Sequence, residues 1–585
     1  MAADQSPMNK LITEHIDIWT SAVKSKSTSG RGSSKKLELY GVKKLRELIL
    51  ELAVRGKLVP QDANDEPVAT LLKQNHIEQS RLTVEENLKT KASQSILDSE
   101  EYILVPETWG RIKLGNLAKF IDYRGKTPKK LNAGVRLITA KNVKFGYLSR
   151  QPEEFISEAE YKTWMTRGFP RIGDILFTPE APLGNVAQVD LEEKFALAQR
   201  AICLQFHLSD ISNYLRLFLM SPSFQNLLSE KATGTTAKGI KASVLKELVV
   251  YIPPIEEQHR IVAKVDELMT LCDQLEQQTE ASIEAHQVLV TTLLDTLINS
   301  ADADELMQNW ARISEHFDTL FTTEESIDQL KQTILQLAVM GKLVPQDPSD
   351  ESAAELLKRI ADEKAQLVKD KKIKKQKALP PIAEDEKPFE LPSGWEWCRL
   401  PDLGELARGK SKHRPRNDPK LYENGNIPLV QTGDVARANG TILTYTAKYN
   451  EFGLAQSQLW PKGTLCITIA ANIADTATLG FDACFPDSVV GYTPYDKEIP
   501  TVYFDYFIKT AKENLERFAP STAQKNINLE ILSNVLVPCP PMQQFPRIVK
   551  KVNLLLGICD ELKERLKESQ MSQLQLTDAI VEQAV

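Results

Sequence analysis

The chain repeats itself, and no other feature restricts its fold as strongly. Ile49-Leu-Glu-Leu-Ala-Val-Arg-Gly-Lys-Leu-Val-Pro-Gln-Asp62 returns as Ile334-Leu-Gln-Leu-Ala-Val-Met-Gly-Lys-Leu-Val-Pro-Gln-Asp347, at an offset of 285 residues. Pro106-x-x-Trp109 returns as Pro392-x-x-Trp395, and Pro253-Pro254-x5-Arg260-Ile-Val-x-Lys264-Val265 as Pro540-Pro541-x5-Arg547-Ile-Val-x-Lys551-Val552. Three anchors at nearly constant offset describe one unit of about half the chain, duplicated. A partial third copy ends the chain: Leu576-x3-Ile580-x3-Ala584-Val585 matches Leu330-x3-Ile334-x3-Ala338-Val339 and Leu45-x3-Ile49-x3-Ala53-Val54. It stops where Gly-Lys-Leu-Val-Pro would follow. The N-terminal copy supplies that continuation, so the repeat is expected to close on itself with the chain ends adjacent.

After each Pro-Pro pair the spacing predicts a long helix, over 258–298 and again at the C-terminus, roughly 60 Å for 41 residues. Apolar residues fall in 4-3 spacing at Ile261, Val265, Leu268, Cys272, Leu275, Leu289 and Leu293. The second copy repeats this at Ile548, Val552, Leu555, Cys559, Leu562, Leu566, Leu576 and Ile580. Both seams are weak at the centre, at Thr279, Ser282 and His286 and at Ser569 and Gln573. An antiparallel pairing of the two helices would align those centres. His286 and Gln573 then belong to the seam rather than to a catalytic group.

The intervening segments differ in texture. Short β-branched runs, Gly173-Asp-Ile-Leu-Phe-Thr178 and Gly463-Thr-Leu-Cys-Ile-Thr468, lie among short helical patterns at Tyr214–Glu230 and Tyr503–Phe518. The expected fold is mixed α/β: two globular domains separated by long, antiparallel, coiled-coil-like helices, with internal two-fold pseudosymmetry. The expected boundaries are an N-terminal extension and first scaffold segment over 1–103, a first globular domain over 104–252, a central scaffold with a long helix over 253–388, a second globular domain over 389–537, and a C-terminal helix over 538–585. Ser21–Lys36 reads as a flexible linker. Lys364–Pro381 reads as a helix running into a lysine-rich linker.

The net charge of −7 argues, taken whole, against nucleic acid. Its distribution reverses that. Residues 104–252 carry 21 basic against 14 acidic residues, net +7, and residues 389–537 carry 15 against 17. The rest of the chain holds the acidic surplus. Residues 119–150 hold nine basic residues and one acid, and residues 408–420 hold six and one. Loops of Arg and Lys neutralise phosphates, while Asn, Gln, Thr and Arg can read base edges. The DNA-binding candidates in the first domain are Arg124, Lys126, Thr127, Lys129, Lys130, Lys141, Asn142, Lys144, Thr235, Lys238 and Lys241. In the second they are Arg408, Lys410, Lys412, Arg414, Arg416, Lys420, Gln431, Thr432, Ser521, Thr522, Gln524, Lys525, Asn526 and Asn528.

Catalytic motifs fail on context. Gly404-Glu-Leu-Ala-Arg-Gly409-Lys410-Ser411 fits a P-loop letter for letter, but Pro415 and Pro419 follow where the phosphate-binding helix must start. The Pro-Pro sites lack the polar and aromatic flanks of an amino-methyltransferase. Pro419 would interrupt the strand that a nuclease core at Asp418-x-Lys420 requires. Seven cysteines form no CxxC pair and the histidines show no HxH or HxxxH spacing, so neither a metal site nor a disulfide framework is signalled. No apolar run approaches a membrane span, and the acidic N-terminus does not resemble a signal peptide, so a cytoplasmic location is expected.

The layout resembles the specificity subunit of type I restriction–modification systems. The Leu-Ala-Val-x-Gly-Lys-Leu-Val-Pro-Gln-Asp repeat, the Pro-Pro-x3-Gln-x-Arg-Ile-Val entry and the Ser521-Thr-Ala-Gln-Lys-Asn-Ile-Asn528 loop carry the likeness, which covers nearly the whole chain. The second helix entry departs from the pattern, with Phe545-Pro546 before Arg547, which puts its first turn in doubt. The resemblance implies two target recognition domains, each reading half of a split, asymmetric double-stranded DNA sequence. It implies helices that set the spacing and dock two methyltransferase subunits, and two further restriction subunits. S-adenosylmethionine, ATP and Mg are then expected in the partners and no cofactor in this chain. The competing readings are an assembly scaffold that does not touch DNA and a nucleotide-dependent enzyme built on Gly404–Ser411.

Overall fold

The structure is a computed structural model. It describes residues 7–26, 36–85, 96–123, 128–234, 238–301, 303–371, 373, 379–470, 473–517 and 527–585. Four helices carry the repeat: α1 (Tyr40–Val54), α2 (Ile255–Ile298), α3 (Glu324–Val339) and α4 (Gln544–Ala584). The chain divides into two compact units, residues 1–282 with 569–585 and residues 283–568. Each long helix therefore contributes its first part to one unit and its last part to the other.

In the first unit α1 meets the head of α2 and the tail of α4. Arg46 binds Asp273 (2.6 Å) and Glu276 (2.7 Å) of α2, and the Tyr40 hydroxyl donates to Asp578 of α4 (2.8 Å). In the second unit α3 meets the tail of α2 and the head of α4. Gln287 donates to Glu325 (2.6 Å), Lys563 binds Asp328 (2.8 Å), and Lys331 binds Asp560. Along α3, rising numbers meet rising numbers on α2 and falling numbers on α4, so the two long helices run antiparallel there. Val290, Leu294, Leu297, Ile327, Leu330, Ile334 and Cys559 form their shared core.

The expected seam holds over its first turns and then shifts. Ile261, Val265, Leu268, Cys272, Ile548, Val552 and Cys559 are buried, as is Ile580, while Leu275, Leu293, Leu555, Leu562 and Leu566 are half-buried. Leu289 and Leu576, assigned to the seam by 4-3 spacing, are instead 50% and 48% exposed, and Val290 and Thr577 are buried beside them. The inward face follows Thr279, Ile283, His286, Val290, Leu294 and Leu297, and in the second copy Leu566, Gln570, Gln573, Thr577, Val581 and Ala584. That is 18 residues in five steps, the 3.6-residue period of a straight helix rather than the 3.5 of a heptad. His286 is structural: its Nε2 lies 2.9 Å from the Leu320 carbonyl oxygen.

The duplicated motif has the same duties in both units. Gly56 and Gly341 end α1 and α3 at φ +67° and +73°. The next N–H reaches back five residues in each case, Lys57 to Leu52 O (3.0 Å) and Lys342 to Leu337 O (2.9 Å). A Cβ at either glycine would stand 2.5 Å from Pro106 or 2.7 Å from Pro392, so the Pro-x-x-Trp motif is the glycine's packing partner. The following lysine caps a long helix: Lys342 Nζ donates to Ile298 O (2.7 Å) and Ser300 O (3.0 Å), and Lys57 Nζ donates to the carbonyl oxygen of Val585. The expected circular closure is thus a direct contact within the first unit. Asp65 and Asp350 then form two-pronged ion pairs with Arg260 (2.8 and 2.6 Å) and Arg547 (2.7 and 3.1 Å) at the starts of α2 and α4.

The copies differ at one hub. Buried Glu257 accepts from Gln61 and from Trp109 Nε1 (3.1 Å), where the second unit has Gln544 donating to Gln346 (2.6 Å) and Trp395 donating to the same oxygen (2.8 Å). Burial pushes the Glu257 carboxyl above the usual range, opposed by those hydrogen bonds. The second helix entry starts two residues later than its counterpart, with Pro546 accommodated in the first turn, where its missing N–H has no partner to lose. Phe545 is buried where Gln258 stands in the first copy, its ring 4.9 Å from that of Tyr503.

Each globular domain is closed by its first and last strands. Gly110–Lys113 pairs antiparallel with Val249–Ile252, and Glu396–Arg399 with Leu536–Cys539, so entry and exit lie side by side. The first domain holds a four-stranded sheet in the order Ala118–Asp122, Ile202–Phe206, Ile175–Phe177, Val186–Gln188, and a three-stranded sheet of Phe155–Ile156, Val135–Ile138 and Phe195–Leu197. The second domain holds five- and four-stranded sheets. The β-branched runs are their central strands, Ile175–Phe177 and Leu465–Thr468, fully buried after glycines at φ +89° and +91°. The helical pattern from Tyr214 is two helices, Ser212–Met220 and Pro222–Lys231, broken at Ser221, whose hydroxyl caps the second. The stretch read as a flexible linker, Ser21–Lys36, is structured at its ends: Lys24–Lys26 pairs antiparallel with Lys36–Glu38.

Candidate nucleic-acid interface

The basic loop of the second domain is held by its own side chains and by the loops around it. Gly404–Arg408 is a strand paired with Val490–Pro494 and is followed by turns, so the P-loop-like letters have no helix to present to phosphate. Asp487 organises the arginines: Arg416 meets both its carboxylate oxygens at 2.8 Å, and Arg408 Nε donates to its carbonyl (2.6 Å). Gln456 Oε1 accepts from the backbone N–H of Lys412 (2.6 Å) and His413 (3.1 Å), and Ser457 donates to Lys410 O (2.9 Å). Arg414 donates to Ser411 O (2.6 Å) and His413 O (2.8 Å). The His413 ring, 2.7 Å away, and the Lys420 N–H hold the Asp418 carboxyl below the usual carboxylate range. Arg408, Lys410, Lys412, Arg414, Arg416 and Lys420 are all exposed. The loop is a fixed array of cations, suited to phosphate.

In the first domain Arg124, Lys126, Thr127 and Thr235 lie outside the described residues, as do Ser521, Thr522, Gln524, Lys525 and Asn526 in the second. Lys129 and Lys130 are exposed; the Lys129 N–H donates to Glu160 (2.8 Å) and Lys130 Nζ pairs with Glu154 (2.7 Å).

Asn142 does not fit a base-reading role. It is 1% exposed, and its side chain is fully committed. Oδ1 accepts from Thr139 N (3.0 Å) and Thr139 Oγ1 (2.9 Å), and Nδ2 donates to Ser149 O (3.2 Å) and Pro152 O (3.0 Å). Asp434 has the same task in the second domain, buried and accepting from Gln431 N (2.9 Å) and Thr446 Oγ1 (3.1 Å). The motifs after the basic loops are turn locks. Their neighbours remain outward: Lys141 and Gln431 are exposed, Lys144 and Thr432 half-buried.

The later polar loops are pinned alike. Ile240 and Ile527 are buried, with N–H groups donating to Pro179 O (2.9 Å) and Ile469 O (3.0 Å) just past the central strands. Lys238 and Lys241 are exposed, with Lys238 Nζ 3.5 Å from Ser229 Oγ. Asn528 caps the helix Leu529–Asn534 by accepting from Ile531 N (2.8 Å), which leaves its amide nitrogen for other partners.

One feature escaped the sequence reading. Beyond Asn142, Val143 and Leu148 pair antiparallel across a tip of Lys144-Phe145-Gly146-Tyr147, closed by Lys144 N to Tyr147 O (3.0 Å). Phe145 is 47% and Tyr147 61% exposed. Alternation of basic and aromatic residues was the available signal; aromatics in short strands ordinarily read as core.

The sequence is similar to known proteins along nearly its whole length. The model of the type I restriction modification DNA specificity domain matches residues 106–285 and 392–569, once per repeat. The EcoAI specificity subunit of Escherichia coli is 38% identical across 99% of this chain and 100% of its own length, and the EcoEI specificity subunit, also of Escherichia coli, is 36% identical over the same shares. The HsdS subunit from Thermoanaerobacter tengcongensis is 17% identical, covering 83% of this chain and 98% of that one, with a TM-score of 0.41. With both halves matched by one family model and full-length relatives at this identity, the chain belongs to the type I restriction enzyme specificity subunits.

Proposed function

We propose that the two globular domains each read one half of a bipartite, asymmetric double-stranded DNA target, and that the scaffold fixes the distance between the halves. The chain itself is non-catalytic, and it assembles with the other subunits of a type I restriction–modification system. Two methyltransferase subunits dock on the pseudosymmetric helices, and two restriction subunits complete the complex in the cytoplasm. S-adenosylmethionine, ATP and Mg belong to those partners. The observation that carries this reading is the pairing of a duplicated scaffold with non-identical readers: the glycine turn, the lysine cap and the Asp–Arg pair recur in both units, whereas the basic loops differ in sequence. Duplicated docking surfaces suit two copies of one partner, and a fixed scaffold makes half-site separation a matter of geometry.

The test is to express the chain with its methyltransferase partner in a host lacking other adenine methylation and to map modified adenines genome-wide. A bipartite motif with a constant spacer is expected. Unmodified DNA with all components expressed would refute the reading.

A further inference from the structure

We propose that Phe145 and Tyr147 form a rigid stacking probe that contacts base planes in the half-site read by the first domain. This rests on the half-site reading above. Two large rings stand exposed on one tip in a stretch, Tyr123 to Pro152, that contains no Asp or Glu. Exposed Lys141 and half-buried Lys144 flank them, and among the described residues neither is paired with a carboxylate. Cations beside aromatic faces suit a polyanion whose interior offers π-surfaces.

The tip is fixed from beneath. The Gly146 N–H donates to Val186 O (2.8 Å) at the edge of the four-stranded sheet, Asn185 Nδ2 donates to Val143 O (2.8 Å), and Asn142 makes four hydrogen bonds across the base of the turn. Gly146 sits at φ +96°, which a residue with a side chain rarely adopts. Rings on such a support lose little freedom on binding. They can wedge against a base step, as apolar side chains do when they unstack DNA, and the Tyr147 hydroxyl adds a polar contact.

Among the described residues, the second domain has no such pair of rings at the equivalent position. After its own turn lock at Asp434 come Ala438-Asn439-Gly440, with Gly440 at φ +80° and Leu443 76% exposed. Different tips on equivalent supports would give the two half-sites different readers.

The test uses the full chain assembled with its methyltransferase partner, and duplexes carrying the mapped motif, the motif with its first half scrambled, or its second half scrambled. For Phe145→Ala with Tyr147→Ala, preference for the intact motif over the first-half scramble should fall roughly 5- to 150-fold, the range of a lost base–aromatic stack. Preference over the second-half scramble and binding to unrelated DNA should hold within about twofold. Phe145→Tyr with Tyr147→Phe keeps both rings, should retain most of the preference and controls for folding. Unchanged first-half preference, or equal loss at both halves, overturns the proposal. Loss of complex assembly without DNA also overturns it and marks the tip as a protein contact. A wild-type complex that prefers neither half refutes the half-site reading itself, and the probe with it.

Discussion

Asn142 and Lys141 are adjacent, and from sequence they looked equally suited to DNA. The structure separates them. Replacing Asn142 with Ala would leave Thr139 N, Thr139 Oγ1, Ser149 O and Pro152 O without their partner in a site that is 1% exposed. A net hydrogen bond is worth about 1 kcal/mol, and a buried group left unpaired costs about 1–3 kcal/mol. Some of the four groups regain water once the turn loosens, so the expected loss is ~2–4 kcal/mol for the first domain. Lys141→Ala should cost less than ~0.5 kcal/mol, because it removes an exposed side chain. Urea denaturation followed by the fluorescence of Trp164, which packs in this domain, reports the first quantity. DNA affinity across a salt series reports the second. Lys141→Ala should reduce the slope of log K against log salt by about one, whereas Asn142→Ala should keep the wild-type slope in its folded fraction. Asn142→Asp, the residue type at position 434, keeps the acceptor and loses both donations, so it should fall between. If Asn142→Ala leaves stability within ~0.5 kcal/mol and abolishes half-site preference, the assignment as a turn lock is wrong.

Three further outcomes follow from the scaffold. Gly56→Ala and Gly341→Ala should each cost more than ~1 kcal/mol, because both positions combine positive φ with a Cβ clash against proline; near-neutral melting curves would contradict this. Lys342→Met should cost ~1–2 kcal/mol by removing two bonds at the end of α2, measured by chemical denaturation. Glu257→Gln should stabilise the first unit at neutral pH, since its carboxyl is raised by burial and a raised acid favours folding only when protonated. Its advantage should therefore grow as pH climbs from the ordinary carboxylate range through the raised value and then level off, read from melting temperature against pH. A constant difference at all pH values would show that Glu257 does not titrate as described.

The duplicated scaffold was legible because it is local and repeated. Glycine, lysine, glutamine and aspartate at fixed spacing do the same work twice, and the offset exposes them. The helix seam was legible only for its first turns. A 3.5-residue template and a 3.6-residue helix agree over three turns and then diverge, which moved Leu289 and Leu576 outward and drew Val290 and Thr577 in. Asn142 was misread because burial is decided by chain segments distant in sequence: the carbonyls of Ser149 and Pro152 claim the amide, and nothing within the Lys-Asn-Val triplet says so. Phe145 and Tyr147 were passed over for the opposite reason, since local pattern assigns aromatics to the core. The basic loop at 408–420 was visible by count, but not the part of Asp487, 71 residues away, in fixing Arg416.

Two independent readers on a common scaffold should be exchangeable one at a time. Exchange of residues 104–252 for the corresponding segment of a relative with a different target, followed by genome-wide mapping of modified adenines, tests this most directly. One half of the methylated motif should change while the other half and the spacer length stay as they were. A change in both halves, or in the spacer alone, would contradict this.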